Sequence, residues 1–115
     1  MKKTVSLKLN REFHFLYRRG KSAVNPILAM YARKTKNASN RLGITVSTKV
    51  GKAIVRNRVR RRIREAYRIN EDRFLPGFDI IVVARVRAGV SSFYEIEESL
   101  LELSGKLRLI SEEQE

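Results

Sequence analysis

Apolar residues along this chain change their spacing from one segment to the next, and each spacing names an element. In "NREFHFLYRRG", residues 10–20, Phe13, Leu16 and Tyr17 recur at helical spacing. Asn10 is placed to cap that helix and Gly20 to close it in a left-handed turn, which predicts a short helix over about 11–18. "SAVNPILAMYARKT" mixes β-branched, aromatic and other apolar residues and reads as extended, with Pro26 at a strand start or sheet edge. Beyond the polar "KNASN" connection, Leu42, Ile44 and Val46 alternate with Gly43, Thr45 and Ser47, the period of a half-buried strand and of the second arm of a meander. A helix over about 52–70 follows, then a polar loop that turns at Pro76-Gly77. "FDIIVVAR" is apolar almost without interruption, as suits a central strand covered on both faces. Ser92 and Glu95 form a capping box, and Phe93, Ile96, Leu100, Leu103, Leu107 and Ile110 step by threes and fours along a final helix that Gly105 weakens locally.

This order of helix, two or three strands, helix, strand and helix predicts an α+β sandwich with helices packed on an open sheet. No internal repeat or low-complexity linker divides the chain, so residues 1–115 are expected to form one domain. With 43% apolar residues it can bury a core without covalent staples. The absence of cysteine excludes disulfides and thiolate metal sites. No apolar run approaches the ~20 residues of a membrane span, and "MKKTVSLKLN" lacks the apolar stretch of a secretory signal. A soluble, cytoplasmic protein with no membrane partner is expected.

Charge changes the picture. Residues 1–87 hold 23 Lys and Arg against 5 acids, whereas residues 88–115 hold 2 against 7. Such a split predicts one cationic surface facing a polyanion, nucleic acid before an anionic membrane. The charge is densest in "KAIVRNRVRRRIREAYR", residues 52–68, where seven arginines and one lysine meet a single acid, Glu65. Advancing 100° per residue gathers Val55, Val59, Ile63 and Ala66 on a narrow stripe fit to dock on a sheet. Asn57, Arg61, Arg64 and Arg68 fall on the far side and Arg56, Arg60 and Tyr67 on one flank. Arg62 falls close to the stripe, from which its stem has to snorkel. A merely solvated face would mix signs for i,i+4 pairing, and here only Arg61–Glu65 offers such a pair. Guanidinium forks grip phosphate bidentately and stack on bases, which suits structured RNA. The narrow Val-Ala-Ile stripe suits a protein core better than a lipid surface.

Aromatic residues interleave with basic ones elsewhere: Phe13 and Tyr17 lie one turn apart beside Arg18 and Arg19, and Tyr31 lies in a strand. Exposed together they would stack on single-stranded bases; buried, each is ordinary core. A nuclease centre cannot be assembled from this chain alone. His14 is the only histidine, Asp79 has no obvious carboxylate partner, and Glu95, Glu97, Glu98 and Glu102 fall on the solvated face of the last helix. No catalytic or metal-ligating residue is therefore expected. The alternative class is a non-enzymatic basic RNA-binding module such as a ribosome-associated protein, while a DNA groove reader is disfavoured by the lack of a dimer heptad.

Together, "RNR" within "KVGKAIVRNRVRRRIREAYR", the preceding "RLGITVSTK", "NREFHFLYRRGK" with "VNPILAMYAR", and "GFDIIVVAR" resemble the protein subunit of bacterial ribonuclease P over essentially the whole chain. The resemblance implies an α-β-β-β-α-β-α sandwich, an open mixed sheet with a left-handed βαβ crossover through the basic helix. It implies that catalysis resides in a large RNA subunit, that this RNA and the substrate hold most of the Mg2+, and that a one-to-one complex removes the 5′ leader of precursor tRNA. It further implies a leader cleft with Phe13, Tyr17 and Tyr31 on its aromatic side and Lys49, Arg56, Arg60 and Arg64 on its cationic wall. RNA-subunit contacts are implied for Asn57, Arg58, Arg61, Arg62 and Arg68. The acidic "SEEQE" end departs from a basic tail and takes C-terminal RNA contacts out of the expectation.

Overall fold

The two-sided apolar run takes the centre of the sheet. In the computed structural model, which describes residues 3–111, β5 (Phe78–Ala84) lies between β3 (Leu28–Lys34), antiparallel to it, and β4 (Asn40–Thr45), parallel to it. β2 (Lys21–Val24) extends the sheet beyond β3, and β1 (Thr4–Ser6) lies parallel to β4, giving the order β1-β4-β5-β3-β2. Alternation along β5 sends Ile80, Val82 and Ala84 to one face and Ile81 and Val83 to the other. The first face carries α2 (Ala53–Ile69) and α3 (Phe93–Lys106). Their Val59, Ile63, Ala66, Ile96, Leu100 and Leu103 join Leu28, Met30 and Leu42 in the main core. The second face carries α1 (Asn10–Arg19), seated through Leu16 against Ile81 and Leu7. This is the expected α+β sandwich on an open mixed sheet, with α2 linking the parallel strands β4 and β5.

Where the fold departs from expectation, local hydrogen bonds and strand coverage decide. The segment read as one extended stretch breaks at Asn25, whose Oδ1 accepts from the Ile27 and Leu28 amides at 3.1 and 2.8 Å. That turn, with Pro26 in it, folds the segment into the β2–β3 hairpin. The expected meander does not form: β5 lies between β3 and β4, because a strand apolar on both sides is best covered in the middle of the sheet. Asn40 fixes this crossing, accepting from the Phe78 amide at 2.8 Å and donating to the Leu75 carbonyl at 2.9 Å. β1 was not expected, as three residues carry too little pattern to read; its neighbour Leu7 donates to the Leu42 carbonyl at 2.9 Å.

Both expected caps of α1 are corrected. Leu9 occupies the N-cap position without a side-chain bond, and Asn10 is already helical. Gly20 is extended at φ −77° and not left-handed. Its lack of a side chain serves close passage instead, since a Cβ there would lie 2.7 Å from the Leu16 carbonyl oxygen. The capping box of α3 does form: the Glu95 amide donates to Ser92 Oγ at 3.1 Å and the Ser92 amide to Glu95 Oε1 at 2.8 Å. α3 ends at Lys106, and Ile110 joins the core's margin beside Phe74 instead of extending the helix. Most of the acidic end, residues 112–115, lies outside the described residues.

Candidate nucleic-acid interface

On the α1 face, strand register lays side chains out in rows. Tyr31, Ile81 and Gly43 form one row across β3, β5 and β4, with Ala29, Val83 and Thr45 in the next. Phe13 lies directly on Gly43: a Cβ at that position would sit 2.5 Å from the ring's Cζ. Glycine is therefore what lets the ring rest on the sheet. Tyr17 meets Tyr31 edge-on with ring centroids 4.9 Å apart and Phe13 at 6.5 Å, and its hydroxyl lies 3.4 Å from Thr45 Oγ1. Phe13 and Tyr31 are half-buried and Tyr17 is exposed. The three predicted aromatics thus come together as a continuous ring array, part core and part surface. Gly43 and Thr45 belong to the same array and were not singled out from sequence, although a lone glycine in an alternating strand signals close approach of another group.

A charge cluster fixes α1 above this row. Arg41 donates to both Asp79 oxygens, at 2.8 and 2.7 Å, and to Glu12 Oε2 of α1 at 2.6 Å. These acids raise the Arg41 guanidinium pKa above its usual value, Asp79 most strongly. Asp79, which showed no obvious carboxylate partner in sequence, pairs with Arg41 instead and is the buried anchor of a clamp joining β5, β4 and α1.

α2 sorts its cations by what they touch. Val59, Ile63 and Ala66 are fully buried, as expected, and Tyr67 is buried with them and not on the predicted cationic flank. Thr4 Oγ1 donates to Glu71 at 2.7 Å and accepts from the Tyr67 hydroxyl at 2.8 Å; burial pushes that phenol's pKa up. Arg62, awkward near the stripe, donates to the Ser91 carbonyl at 2.7 Å, and Arg58 to the Gly89 carbonyl at 3.1 Å, so both brace the 3-10 turn at Val86–Val90. Arg56 donates to the Gly51 carbonyl at 2.9 Å and Arg60 to Asn57 Oδ1 at 3.2 Å. Glu65 pairs with Arg68 and not with Arg61, the two meeting at 2.9 Å through Arg68 Nε. Arg61 and Arg64 have no ion-pair or hydrogen-bond partner among the described residues, and Lys49 stands exposed on the 3-10 turn Thr48–Val50. Two acids of α3 are engaged elsewhere: Glu97 accepts from Asn70 and Glu102 from Asn25, each at 2.9 Å.

The family model for ribonuclease P matches residues 1–108. The chain belongs to the ribonuclease P protein family. It is 46% identical over 102 residues to the ribonuclease P protein component of Clostridioides difficile, covering 88% of this chain and 90% of that protein. The component from Alkaliphilus metalliredigens is 40% identical over 111 residues, covering 96% of this chain and all of its own length, 100%. Among solved structures, the Staphylococcus aureus ribonuclease P protein superposes with a TM-score of 0.85 at 33% identity, over 92% of this chain and 97% of that one. The Thermotoga maritima protein gives 0.79 at 34%, over 93% and 98%. Membership gives the chain the role of a ribonuclease P protein component, an RNA-binding part of a tRNA-processing endoribonuclease. No helix among the described residues is long and apolar enough to cross a membrane.

Proposed function

We propose that the chain assists ribonuclease P by holding the single-stranded 5′ leader of precursor tRNA beside α1 while α2 engages the RNA subunit, in a one-to-one cytoplasmic complex. The observation that carries this reading is the array of Phe13, Tyr17 and Tyr31 on an open stretch of sheet, a platform on which any base can stack. Lys49, Arg56, Arg60 and Arg64 line the cationic side of the leader path. Asn57, Arg61 and Arg68 face the RNA subunit, with Arg58 and Arg62 steadying that face through the Val86–Val90 turn. Hydrolysis of the phosphodiester is assigned to the RNA subunit, and Mg2+ to that RNA and the substrate. Among the described residues the carboxylates do not gather as a Mg2+ cage would need: Arg41 holds Glu12 and Asp79, and no group of three His, Cys, Asp or Glu forms. A ribosome-associated module is not favoured, given a family match over residues 1–108.

The test compares precursor tRNA, mature tRNA and duplex DNA at matched salt, using the chain assembled with a ribonuclease P RNA. Precursor should bind more tightly than mature tRNA, and Tyr17→Ala should shrink that preference by about 1–3 kcal/mol while leaving RNA-subunit affinity intact. Equal affinity for all three ligands would remove the leader path.

A further inference from the structure

A second concentration of positive charge lies apart from both the aromatic array and α2. A cavity of about 420 Å³ opens between the C-terminal end of α3 and the step in the sheet where β3 runs on past β2. Arg19, Lys21, Arg33, Lys34, Lys106 and Arg108 line it, and no carboxylate among the described residues does. Lys106 leans on Glu102 at 3.8 Å, and Arg33 and Lys34 lie over the rings of Phe15 and Phe78. Arg19, Lys21 and Arg108 have no carboxylate partner among the described residues. Phe78 and Leu109 give the cavity an apolar floor.

The backbone at Arg108 makes this more than a scatter of surface charge. α3 closes in a Schellman arrangement, the Leu109 amide donating to the Ser104 carbonyl at 2.8 Å and the Arg108 amide to the Gly105 carbonyl at 3.1 Å. Arg108 therefore occupies the left-handed position at φ 59°, where glycine is the unstrained residue. The helix dipole favours cations at this end and accounts for Lys106 and Arg108. It does not account for Arg19 at the end of α1, Lys21 on β2, or Lys34 on β3, which line the same space; Arg33, stacked on Phe15 of α1, borders it from the α1 side of the sheet. Convergent guanidinium and ammonium groups over an apolar floor match a nucleotide unit, with its phosphate on the charges and its sugar or base below.

We infer that this pocket grips a phosphodiester stretch of the RNA subunit, a second anchor at the α3 end of the sheet in addition to α2. The inference rests on the ribonuclease P reading. The RNA subunit is the source, since the aromatic array that suits the leader lies under α1 on the opposite sheet face from α3.

Arg108→Gly provides the test, because it removes the charge while relieving the backbone. Thermal stability should hold or rise, while the log–log salt dependence of binding to a ribonuclease P RNA transcript becomes shallower by about 0.7. Adding Lys21→Gln should bring the total change to about 1.4. The parallel variant Arg61→Gln reports on α2 alone. A flattened slope for Arg61→Gln with none for Arg108→Gly, or a loss that appears only with long-leader substrates, overturns the pocket. No salt-dependent binding by the unaltered chain removes the ribonuclease P reading and the pocket with it.

Discussion

Replacing Arg41 by Met tests the clamp that sets α1 over the sheet. The substitution keeps the aliphatic stem and removes a guanidinium that makes three short bonds, two to Asp79 and one to Glu12. The Asp79 side chain is only 6% exposed, against 24% for Glu12 and 29% for Arg41. Removing one partner of a buried pair costs about 3–5 kcal/mol, chiefly because the other charge is left without compensation. Water reaches the Arg41 end of this pair, which places the loss near the lower limit, about 3 kcal/mol. The more exposed Glu12 limb adds at most ~1 kcal/mol. For a domain of this size such a loss lowers Tm by roughly 12 °C, and in urea it lowers the midpoint without changing the slope. Asp79→Asn in the Arg41→Met background removes the stranded charge, so the two substitutions should couple by about 2 kcal/mol in a double-mutant cycle followed by circular dichroism at pH 7. A loss below about 1 kcal/mol, or simple additivity, would show that Asp79 is hydrated and that α1 is held by the apolar contacts of Leu16 and Phe13 alone.

Two further outcomes follow from the same packing. Gly43→Ala puts a methyl group where Phe13 lies, 2.5 Å from its Cζ, so the ring must lift; the expected loss is about 1 kcal/mol, with leader binding falling more than RNA-subunit binding. Phe13→Leu in the same background should recover the stability by denaturation and not the leader binding. Burial raises the Tyr67 phenol above 10.0, so the unfolded chain ionises first as pH rises; the stability is intact below about pH 10 and drains away as pH passes through the raised folded value. Tyr67→Phe should cost about 1 kcal/mol at neutral pH and give a flatter Tm profile above about pH 10. An unchanged alkaline limb would contradict a buried neutral phenol.

What could be read from sequence was whatever depends on one segment and its exposure. The stripe Ile96, Leu100, Leu103 is fully buried and the Ser92–Glu95 box closes, because helical period and capping are local properties. β5 showed its two-sided burial in its composition, yet its neighbours were hidden, since strand adjacency depends on which other faces remain uncovered. The Asn25 turn was missed because "SAVNPILAMYARKT" has the composition of a strand, and only the side-chain bonds of Asn25 to two amides break it. Tyr67 was placed on a flank by its wheel angle, and that position became core once Thr4, sixty-three residues away, supplied its hydroxyl with a partner.

The same distinction explains why arginines on one helix have different fates. Arg58, Arg62 and Arg61 are close in sequence and equally charged, but the Val86–Val90 turn and Ser91 just after it supply carbonyls only to the first two. That turn follows β5 and packs against α2 by tertiary contact alone, so no pattern within residues 52–68 could separate a bracing arginine from a free one. α3 packs against α2 and carries acids that could have neutralised it, but Glu97 and Glu102 are bonded to Asn70 and Asn25. A helix arranged for stability alone would place those acids opposite Arg61 and Arg64 or set them at i+4. If α2 meets the RNA subunit as proposed, charge left unmatched among the described residues is available to displace condensed counterions when RNA arrives, and salt dependence, more than affinity at one ionic strength, is the quantity that tests this surface.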